Sequence, residues 1–182
     1  MSDYPNWFAM AAEPFFTHLF PKLTEEQHIL QIGAFTGDAT RWMLDNSKAQ
    51  ITDVDTWEGS KETVHDAMDF SDVEKVYDSK VGSDPRVTKL KMTSNEFFLT
   101  NTQQFDFIYV DGDHTASQAA IDGINAFNTL KVGGTIAFDD LDWVSGKGGF
   151  YEPKLGIQAF HHIVQDQVDV LCGEFQAWFL KK

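Results

Sequence analysis

The sequence lacks the features that are typical of secreted, zinc-stabilised or membrane proteins. Its single cysteine, Cys172, excludes an internal disulfide, and no cysteine–histidine cluster has zinc-ligand spacing. No apolar run approaches the length of a membrane span. The N-terminal segment lacks a basic leading part and contains Asp3, Pro5, Glu13 and Pro14, which argues against a signal peptide. We therefore expect a soluble, cytoplasmic protein.

Basic side chains are also scarce. The chain carries 14 Lys and Arg against 28 Asp and Glu, a formal net charge of −14. Such a surface repels phosphate backbones, so nucleic acid and anionic membranes are poor candidate partners, while cations are attracted. A length of 182 residues suits one domain, and we treat residues 1–182 as a single unit with an N-terminal docking helix in residues 1–27.

Strand-like and helix-like segments alternate along the chain. Predicted strands are 28–33, 49–55, 86–92, 105–111, 133–140, 168–173 and 175–182, and predicted helices are 38–46, 60–80, 94–100 (with Ser94 as its cap), 115–130 and 157–165. The last two strands are too close for anything but an antiparallel hairpin. The pattern predicts an α/β fold: a Rossmann-like, doubly wound, mostly parallel seven-stranded sheet with a C-terminal antiparallel strand pair. The glycine-rich segment 145–156 is expected to form a loop beside the site.

Each predicted parallel strand ends in a polar or glycine cluster. The clusters are Gly33–Gly37, Asp53 with Asp55, Thr93 with Ser94, Asp111–His114, and Asp139 with Asp140. Because parallel strands place their carboxyl ends at one edge of the sheet, where ligands bind, these side chains are expected to form one site.

The first of these clusters restricts the ligand. A dinucleotide-binding turn needs a glycine at its centre for the pyrophosphate, and here Phe35 stands there, which disfavours an NAD-dependent oxidoreductase. An acid that could hold ribose hydroxyls is nonetheless present about twenty positions on, as Asp55 or, less favourably, Asp53. A phosphate-free nucleoside with an amino-acid tail and a positive charge fits these features. We therefore expect S-adenosylmethionine.

Four motifs in order, "QIGAFTGDAT", "VDTWEGS", "FDFIYVDGDHTASQAAID" and "LKVGGTIAFDDLDW", resemble class I S-adenosylmethionine-dependent methyltransferases. More narrowly, they resemble the branch of metal-dependent O-methyltransferases that includes the macrocin-type and cephalosporin-cluster enzymes. The resemblance covers residues 28–143. It implies methyl transfer to a hydroxyl group of a small molecule.

The resemblance also implies the cofactor-binding residues. Gln31, Gly33 and Gly37, with Phe35 between them, would border the methionine part, and Asp55 would bind the ribose. The adenine would lie near Thr56 or Trp57, with Thr93 and Ser94 at its amino edge. The family usually has an acid where this chain has Gln31, and Asp111 is a candidate to replace that acid.

Three carboxylates would meet if the strands ending at Asp111 and at Asp139 and Asp140 are neighbours. A hard divalent cation relieves their repulsion, so Mg²⁺, or alternatively Ca²⁺ or Mn²⁺, is expected there, as in the metal-dependent methyltransferases. The cation would lower the pKa of the acceptor hydroxyl. His114 is the first candidate for a general base and Asp142 the second.

Two alternatives to the methyltransferase remain open: a cofactor-binding domain with altered or lost catalysis, which Gln31 favours, and the less favoured oxidoreductase. Hydrogen bonding of His114 to a loop carbonyl and packing of Trp57 are equally compatible with the sequence. Because little chain remains for a substrate-recognition insert, a homo-oligomer could complete the pocket.

Overall fold

The computed structural model of the chain describes residues 4–19, 27–60, 65, 68–144 and 152–182. The strands are β1 His28–Ile32, β2 Gln50–Asp55, β3 Val87–Lys91, β4 Phe105–Val110, β5 Leu130–Phe138, β6 Val168–Gly173 and β7 Ala177–Lys181. The helices are α1 Phe8–Pro14, which continues into a π-helical turn at Phe15–Leu19, α2 Asp38–Asn46, α3 Phe70–Lys80, α4 Ser94–Thr100, α5 Ala116–Thr129 and α6 Pro153–Val164.

All seven strands form one sheet in the order β3-β2-β1-β4-β5-β7-β6. The first five are parallel, and β7 pairs antiparallel with both β5 and β6. The predicted fold class and the C-terminal antiparallel pair are therefore confirmed. Because β1 lies between β2 and β4, the chain reverses its winding direction at β1, which is the position where a sheet of this kind opens a crevice for ligands.

Side chains of alternate strand residues face two separate apolar cores. In β4, Phe107 and Tyr109 pack on one face, whereas Ile108 and Val110 pack on the other. The period of two follows from strand geometry. Helices α4, α5 and α6 cover the second face, and the N-terminal segment, α2 and α3 cover the first.

Phe15 anchors the N-terminal segment on the sheet. Its side chain is fully buried and makes edge contacts with Trp42, Phe107, Tyr109 and Trp178, with ring centroids 4.9–5.7 Å apart. Residues 8–19 therefore pack against the body of the protein. Residues 1–3 and 20–26 of the predicted docking region lie outside the described residues.

The bounds of some elements differ from those predicted. Helix α3 begins at Phe70 rather than near residue 60, because Asp69, the residue before it, has an extended backbone with φ −88° and ψ 99°. The Asp69 side chain caps the actual helix by accepting from Ser71 N–H at 3.0 Å. Residues 61–64 and 66–67 of the predicted helix lie outside the described residues.

Two further bounds are shifted. Strand β5 ends at Phe138, which leaves Asp139 and Asp140 in the turn that follows it, and helix α6 begins at Pro153, a favoured residue for a first helical turn. Most of the predicted glycine-rich loop, residues 145–151, lies outside the described residues. Among the described residues, no helix has both the length and the apolar composition that crossing a bilayer requires.

Candidate active site

A large cavity of about 1160 Å³ lies along the carboxyl edge of the parallel strands. Its walls come from the glycine turn after β1, the ends of β2, β3, β4 and β5, helix α1 and the turn between β6 and β7. Ordinary small-molecule pockets span roughly 300–1,000 Å³. The cavity therefore has room for two ligands side by side.

Gly33 brings the turn after β1 against the end of β4. It has a φ of 83°, and a Cβ atom added there would lie 1.8 Å from the carbonyl oxygen of Asp111. Only glycine fits this position. The close approach places Gly33 and Asp111, both in the cavity wall, next to each other.

Asp55, at the end of β2, organises the glycine turn through its carboxylate. Its Oδ2 accepts from Ala34 N–H at 2.7 Å and from Phe35 N–H at 2.9 Å, while its Oδ1 accepts from Trp57 N–H at 2.7 Å. Two main-chain donors of the turn therefore tie it to β2, and the third fixes the carboxylate against the loop that follows β2. A carboxylate oxygen accepts at more than one lone pair, so Oδ1 can also receive a hydroxyl group from the cavity, which Asp55 lines.

Phe35 occupies the centre of the turn with a φ of 46°. Its ring stacks on Trp7 of the N-terminal segment at 4.8 Å between centroids and lines the cavity. The ring thus belongs to an aromatic wall of the cavity beside the turn.

Gln31 lies beneath the turn rather than in the cavity wall, which corrects the prediction that it borders the ligand. It is 2% exposed; its Nε2 donates to the Gly33 carbonyl at 2.9 Å and its Oε1 is 3.1 Å from the Thr40 hydroxyl. Thr40 also donates to Asp53 at 2.8 Å. Gln31 therefore supports the turn from below and contributes no contact to the cavity.

Asp53 completes this buried network and is likewise remote from the cavity. Its Oδ2 accepts from the Tyr77 hydroxyl at 2.6 Å, and the side chain is fully buried. Burial raises the pKa of Asp53 from 3.8 to about 7 against the lowering effect of the hydrogen bonds from Tyr77 and Thr40. Asp53 is thus a structural group, and Asp55 is the acid of β2 that faces the ligand space.

Trp57 and Gly37 were also expected beside the ligand, and the structure places both in the packing behind the turn. Trp57 is 3% exposed, packs on Tyr77 at 4.8 Å between ring centroids and donates from Nε1 to the Phe35 carbonyl at 2.9 Å. A Cβ atom on Gly37 would lie 3.0 Å from the Tyr77 ring, so Gly37 makes room for α3.

Thr56, Thr93 and Ser94 do line the cavity, as predicted. Thr93, rather than Ser94, caps α4: its hydroxyl accepts from Glu96 N–H at 3.2 Å, and Glu96 Oε2 accepts from Thr93 N–H at 2.9 Å. Ser94 is thereby left free to turn toward α5, where its hydroxyl is 3.3 Å from Gln118 Nε2.

The carboxylates after β4 and β5 meet in the wall of the same cavity, beside the glycine turn, because these strands are sheet neighbours. Burial, followed by repulsion from Asp139, raises the pKa of Asp111, although about 30% of its side chain faces the open cavity. Burial and the charge of Asp140 raise the pKa of Asp139 in the same way. A positive charge among these acids would relieve both effects.

Two donors hold the carboxylate of Asp139 in place. The Tyr109 hydroxyl donates to Oδ2 at 2.5 Å and Gln176 Nε2 donates to Oδ1 at 3.1 Å. Within the described part of the chain, the acidic and histidine side chains whose ligand atoms lie within 4.8 Å of one another are Asp111, His114 and Asp140. The structure thus groups His114 with Asp111 and Asp140, two of the three predicted carboxylates, and Asp139 lines the same cavity.

His114 and Asp140 form the centre of this cluster. His114 Nε2 lies 3.0 Å from Asp140 Oδ2 and 3.6 Å from Asp111 Oδ1, and the imidazole packs against Trp143 at 5.2 Å between ring centroids. Asp140 has a φ of 57°, an uncommon value for a residue with a side chain. Such strain is frequent where function fixes the direction of a side chain.

Asp142, the second predicted base, lies at the margin of the cavity. Its Oδ1 is 2.7 Å from Lys154 Nζ, and about half of its side chain is exposed. This ion pair ties Asp142 to helix α6.

Sequence reasoning missed several residues of the cavity wall. Asp122 and Gln118 reach it from α5, Met10 from α1 and Phe175 from the β6–β7 turn. The first pair had a detectable signal: Asp122 falls at helical spacing on the same face as Ala119 and Ala126, an acid within an apolar stripe. Met10 and Phe175 carry no such signal because tertiary packing alone brings them to the cavity.

Comparisons with known proteins agree with this geometry. A family model described as a methyltransferase domain matches residues 30–141, more than half of the chain. No curated protein sequence matches the chain.

Solved structures share the fold at low sequence identity. A Klebsiella pneumoniae protein assigned as an O-methyltransferase has a TM-score of 0.66 and 16% identity, covering 100% of this chain and 83% of that one. The SAH-bound Podospora anserina methyltransferase PaMTH1 has a TM-score of 0.62 and 17% identity, covering 86% and 72%. The O-methyltransferase TomG from Streptomyces achromogenes, in complex with SAM, has a TM-score of 0.60 and 14% identity, covering 86% and 73%.

The fold and the cavity are those of a ligand-binding α/β protein that opens at the carboxyl ends of its parallel strands. By the family match, the chain belongs to the methyltransferase domain family. The predicted methyltransferase class is thereby confirmed, and the match lends no support to the oxidoreductase alternative.

Proposed function

We propose that the protein transfers a methyl group from S-adenosylmethionine to a hydroxyl oxygen of a small molecule, with a divalent cation beside the acceptor. The observation that carries this proposal is that one cavity holds two adjoining sets of residues: a glycine turn tied to Asp55, and an acid–histidine cluster at Asp111, His114 and Asp140.

The part of the cavity beside the glycine turn fits the methyl donor. The contact between Gly33 and the Asp111 carbonyl brings bare main chain to the cavity wall, where an amino-acid tail can lie. Asp55 Oδ1 can accept a ribose hydroxyl, and Phe35 disfavours phosphates at the turn. When bound, S-adenosylmethionine supplies an electrophilic methyl carbon on a positively charged sulfur, a charge that the cavity carboxylates favour.

The acid–histidine cluster fits a hard cation. Two carboxylates and an imidazole converge within 4.8 Å, and burial with mutual repulsion raises the pKa of Asp111, so the cluster gains from a positive charge. Asp111, Asp140 and His114 would hold the cation, with Asp139 behind them. When bound, a divalent cation lowers the pKa of an acceptor hydroxyl.

A second candidate mechanism uses the same residues without a cation. The 3.0 Å distance between His114 Nε2 and Asp140 Oδ2 is that of a histidine oriented by a carboxylate. In this mechanism His114 accepts the proton of the acceptor hydroxyl as a general base, and Asp140 stabilises the resulting imidazolium. The two mechanisms assign incompatible roles to His114, so an experiment can separate them.

Aromatic and aliphatic side chains also border the cavity. Trp143 lies beside His114, and Met10 and Phe175, which are 83% and 78% exposed, border the cavity from α1 and the β6–β7 turn. These surfaces favour an acceptor with a flat or apolar body that carries its hydroxyl groups at one end.

The direct test is methyl transfer from isotopically labelled S-adenosylmethionine to a panel of catechols, sugars and hydroxy acids, with and without a chelator. Transfer to at least one acceptor that stops in chelator and returns with Mg²⁺ supports the cation mechanism. Full turnover in chelator would assign proton transfer to His114 alone, and absence of transfer to every member would contradict an acceptor in these classes.

Variants of the acid cluster sharpen this test. Asp140→Asn should weaken Mg²⁺ binding, measured by calorimetry, by about 100-fold or more, because it removes a ligand charge at the cluster centre. Asp139→Asn should weaken it by only about 10-fold, since Asp139 acts from behind. Asp142→Asn, outside the cluster and paired with Lys154, is the matched control and should leave the affinity unchanged. Equal losses in all three variants would contradict the assigned ligands.

A further inference from the structure

A row of hydrogen-bonded side chains lies beneath the glycine turn, behind the cavity wall. It joins four oxygen atoms in series, the Tyr77 hydroxyl, Asp53 Oδ2, the Thr40 hydroxyl and Gln31 Oε1, at successive distances of 2.6, 2.8 and 3.1 Å. All four side chains are at most 2% exposed. We call this row the hydrogen-bond relay.

The relay is complete only when Asp53 carries a proton. Its three links each need one hydrogen, and Tyr77 and Thr40 supply one each, whereas the amide oxygen of Gln31 supplies none. The third hydrogen therefore has to lie on Asp53 Oδ2, so that Asp53 donates to Thr40 and Thr40 donates to Gln31. Burial raises the pKa of Asp53 to about 7, so the proton is retained in mildly acidic solution.

Loss of this proton disturbs Gln31. Ionised Asp53 takes the hydrogen of Thr40, which leaves Gln31 Oε1 without a donor inside the core. Turning the amide over would give Thr40 a donor, but it would bring Oε1 against the Gly33 carbonyl, to which Nε2 now donates at 2.9 Å. One arrangement leaves a buried acceptor unpaired, and the other replaces a hydrogen bond to the turn by repulsion between two oxygens.

The peptide group between Gly33 and Ala34 connects the relay to the cavity. Its carbonyl accepts from Gln31 beneath the turn, and its N–H donates to Asp55 Oδ2 at 2.7 Å. Gly33 and Asp55 both line the cavity. Because a peptide group is planar, a displacement of its carbonyl also moves its N–H and disturbs the hydrogen bond to Asp55.

The surroundings of Asp53 offer its charge little compensation. From β1, α2 and α3 it is faced by its neutral relay partners, and Asp55 on the same strand raises its pKa further. Its neighbour in β3 is Lys89, whose Nζ lies 2.8 Å from Glu74 and 2.7 Å from Asp78. Lys89 is thus engaged by two other acids, and Asp53 Oδ1 has no hydrogen-bond partner among the residues that the structure describes.

We propose that Asp53, acting through Thr40 and Gln31, positions the glycine turn for the methyl donor, so that loss of its proton weakens donor binding. This inference rests on the proposed function, because it concerns the regulation of the same cavity. Asp53 is a positioning residue: it lies outside the cavity wall and acts on the donor through the peptide group between Gly33 and Ala34.

The test measures the affinity for S-adenosylhomocysteine by calorimetry at about pH 6 and about pH 8.5, on either side of the pKa of Asp53. Wild-type affinity should be about 5-fold or more weaker at the higher pH, because a buried acceptor is then left unpaired. In Asp53→Asn, which cannot ionise, the two affinities should agree within about 2-fold. Asp45→Asn, an exposed acid of α2, is the matched control and should keep the wild-type change.

Thr40→Val separates the relay from a general effect on core stability. Valine has nearly the shape of threonine but no hydroxyl, so Asp53 still titrates and the stability in urea still depends on pH. The affinity for S-adenosylhomocysteine should no longer change between the two pH values. The NMR resonance of the Ala34 amide gives a readout without ligand: it should titrate at about pH 7 in wild type and lose most of that change in Thr40→Val.

The outcomes distinguish this inference from the proposed function. Equal wild-type affinities at the two pH values, or a pH dependence that Asp53→Asn or Thr40→Val keeps in full, would overturn the positioning role and leave the donor assignment standing. Absence of binding at both pH values would overturn the donor assignment, and the Ala34 resonance would then decide whether the relay operates.

A further variant covers the case in which thermal unfolding shows that Asp53→Asn is not folded. Tyr77→Phe keeps the ring and removes a hydrogen bond that lowers the pKa of Asp53. The change in affinity should therefore move to higher pH in this variant. An unchanged midpoint would contradict the assignment of the titration to Asp53.

Discussion

At the scale of single residues, Asp53 makes the stability of the buried network beneath the glycine turn depend on pH. Burial raises its folded-state pKa from 3.8 to about 7, so the folded protein retains a proton that the unfolded chain releases at lower pH. The stability that this proton contributes is complete below about pH 4 and is lost as the pH rises through about 7. Above that pH, the core contains an ionised carboxylate.

We predict that Asp53→Asn removes this pH dependence. Asparagine can still accept from Tyr77 and Thr40 but never ionises, so the variant should gain roughly 2–4 kcal/mol relative to wild type between about pH 5 and pH 8.5. Urea unfolding at both pH values measures the change. Asp69→Asn, at an exposed helix cap, should not reproduce it. Parallel pH profiles for wild type and Asp53→Asn would contradict the role given to Asp53.

Gly33 gives a second prediction at this scale. Gly33→Ala forces a side chain into a left-handed backbone angle and against the Asp111 carbonyl, so it should destabilise the protein by about 3 kcal/mol or more and abolish S-adenosylhomocysteine binding. Gly133→Ala is matched in φ, 80°, but meets nothing within 4 Å. It should lower the free energy of unfolding by only about 1 kcal/mol. Equal losses for Gly33→Ala and Gly133→Ala, measured by chemical denaturation, would show that the contact with Asp111 does not matter.

At the scale of elements, the N-terminal segment depends on one ring. Phe15→Ala should lower the free energy of unfolding by about 3–5 kcal/mol, because it empties a site between four aromatic side chains. Phe16→Ala changes the adjacent residue, which is 52% exposed, and should cost less than about 1.5 kcal/mol. Similar losses for both, measured by urea unfolding, would mean that the segment does not pack as described.

The elements were predictable where local and global preferences agree. Helices α2 and α4 have the predicted bounds because a cap, or a glycine turn, marks each start and the apolar spacing is helical throughout. The start of α3 was predicted too early because the capping residue Asp69 lies within the polar stretch 60–80, in which several other Asp and Ser residues could equally serve as a cap.

At the scale of the whole molecule, the strand order decides which predicted site residues meet. Asp55, Thr93, Asp111 and Asp140 were accessible to sequence reasoning because parallel strands share one carboxyl edge. Sequence reasoning could not tell which way the side chains of Gln31, Trp57 and Asp139 face, because this depends on the neighbours that hydrogen-bond to them. These neighbours are Thr40 for Gln31, Phe35 for Trp57 and Gln176 for Asp139. Asp122 was hidden because it reaches the cavity from a helix and not from a strand end.

The central claim is that the cavity binds an adenosyl donor without phosphates between the glycine turn and the acid–histidine cluster. Calorimetric titration of the wild-type protein with S-adenosylhomocysteine and, separately, with NAD tests it most directly. We expect one S-adenosylhomocysteine bound per chain, an affinity reduced by at least about 10-fold in Asp55→Asn, which takes a charged acceptor from the turn, and no heat from NAD. Binding of NAD without binding of S-adenosylhomocysteine would contradict the claim.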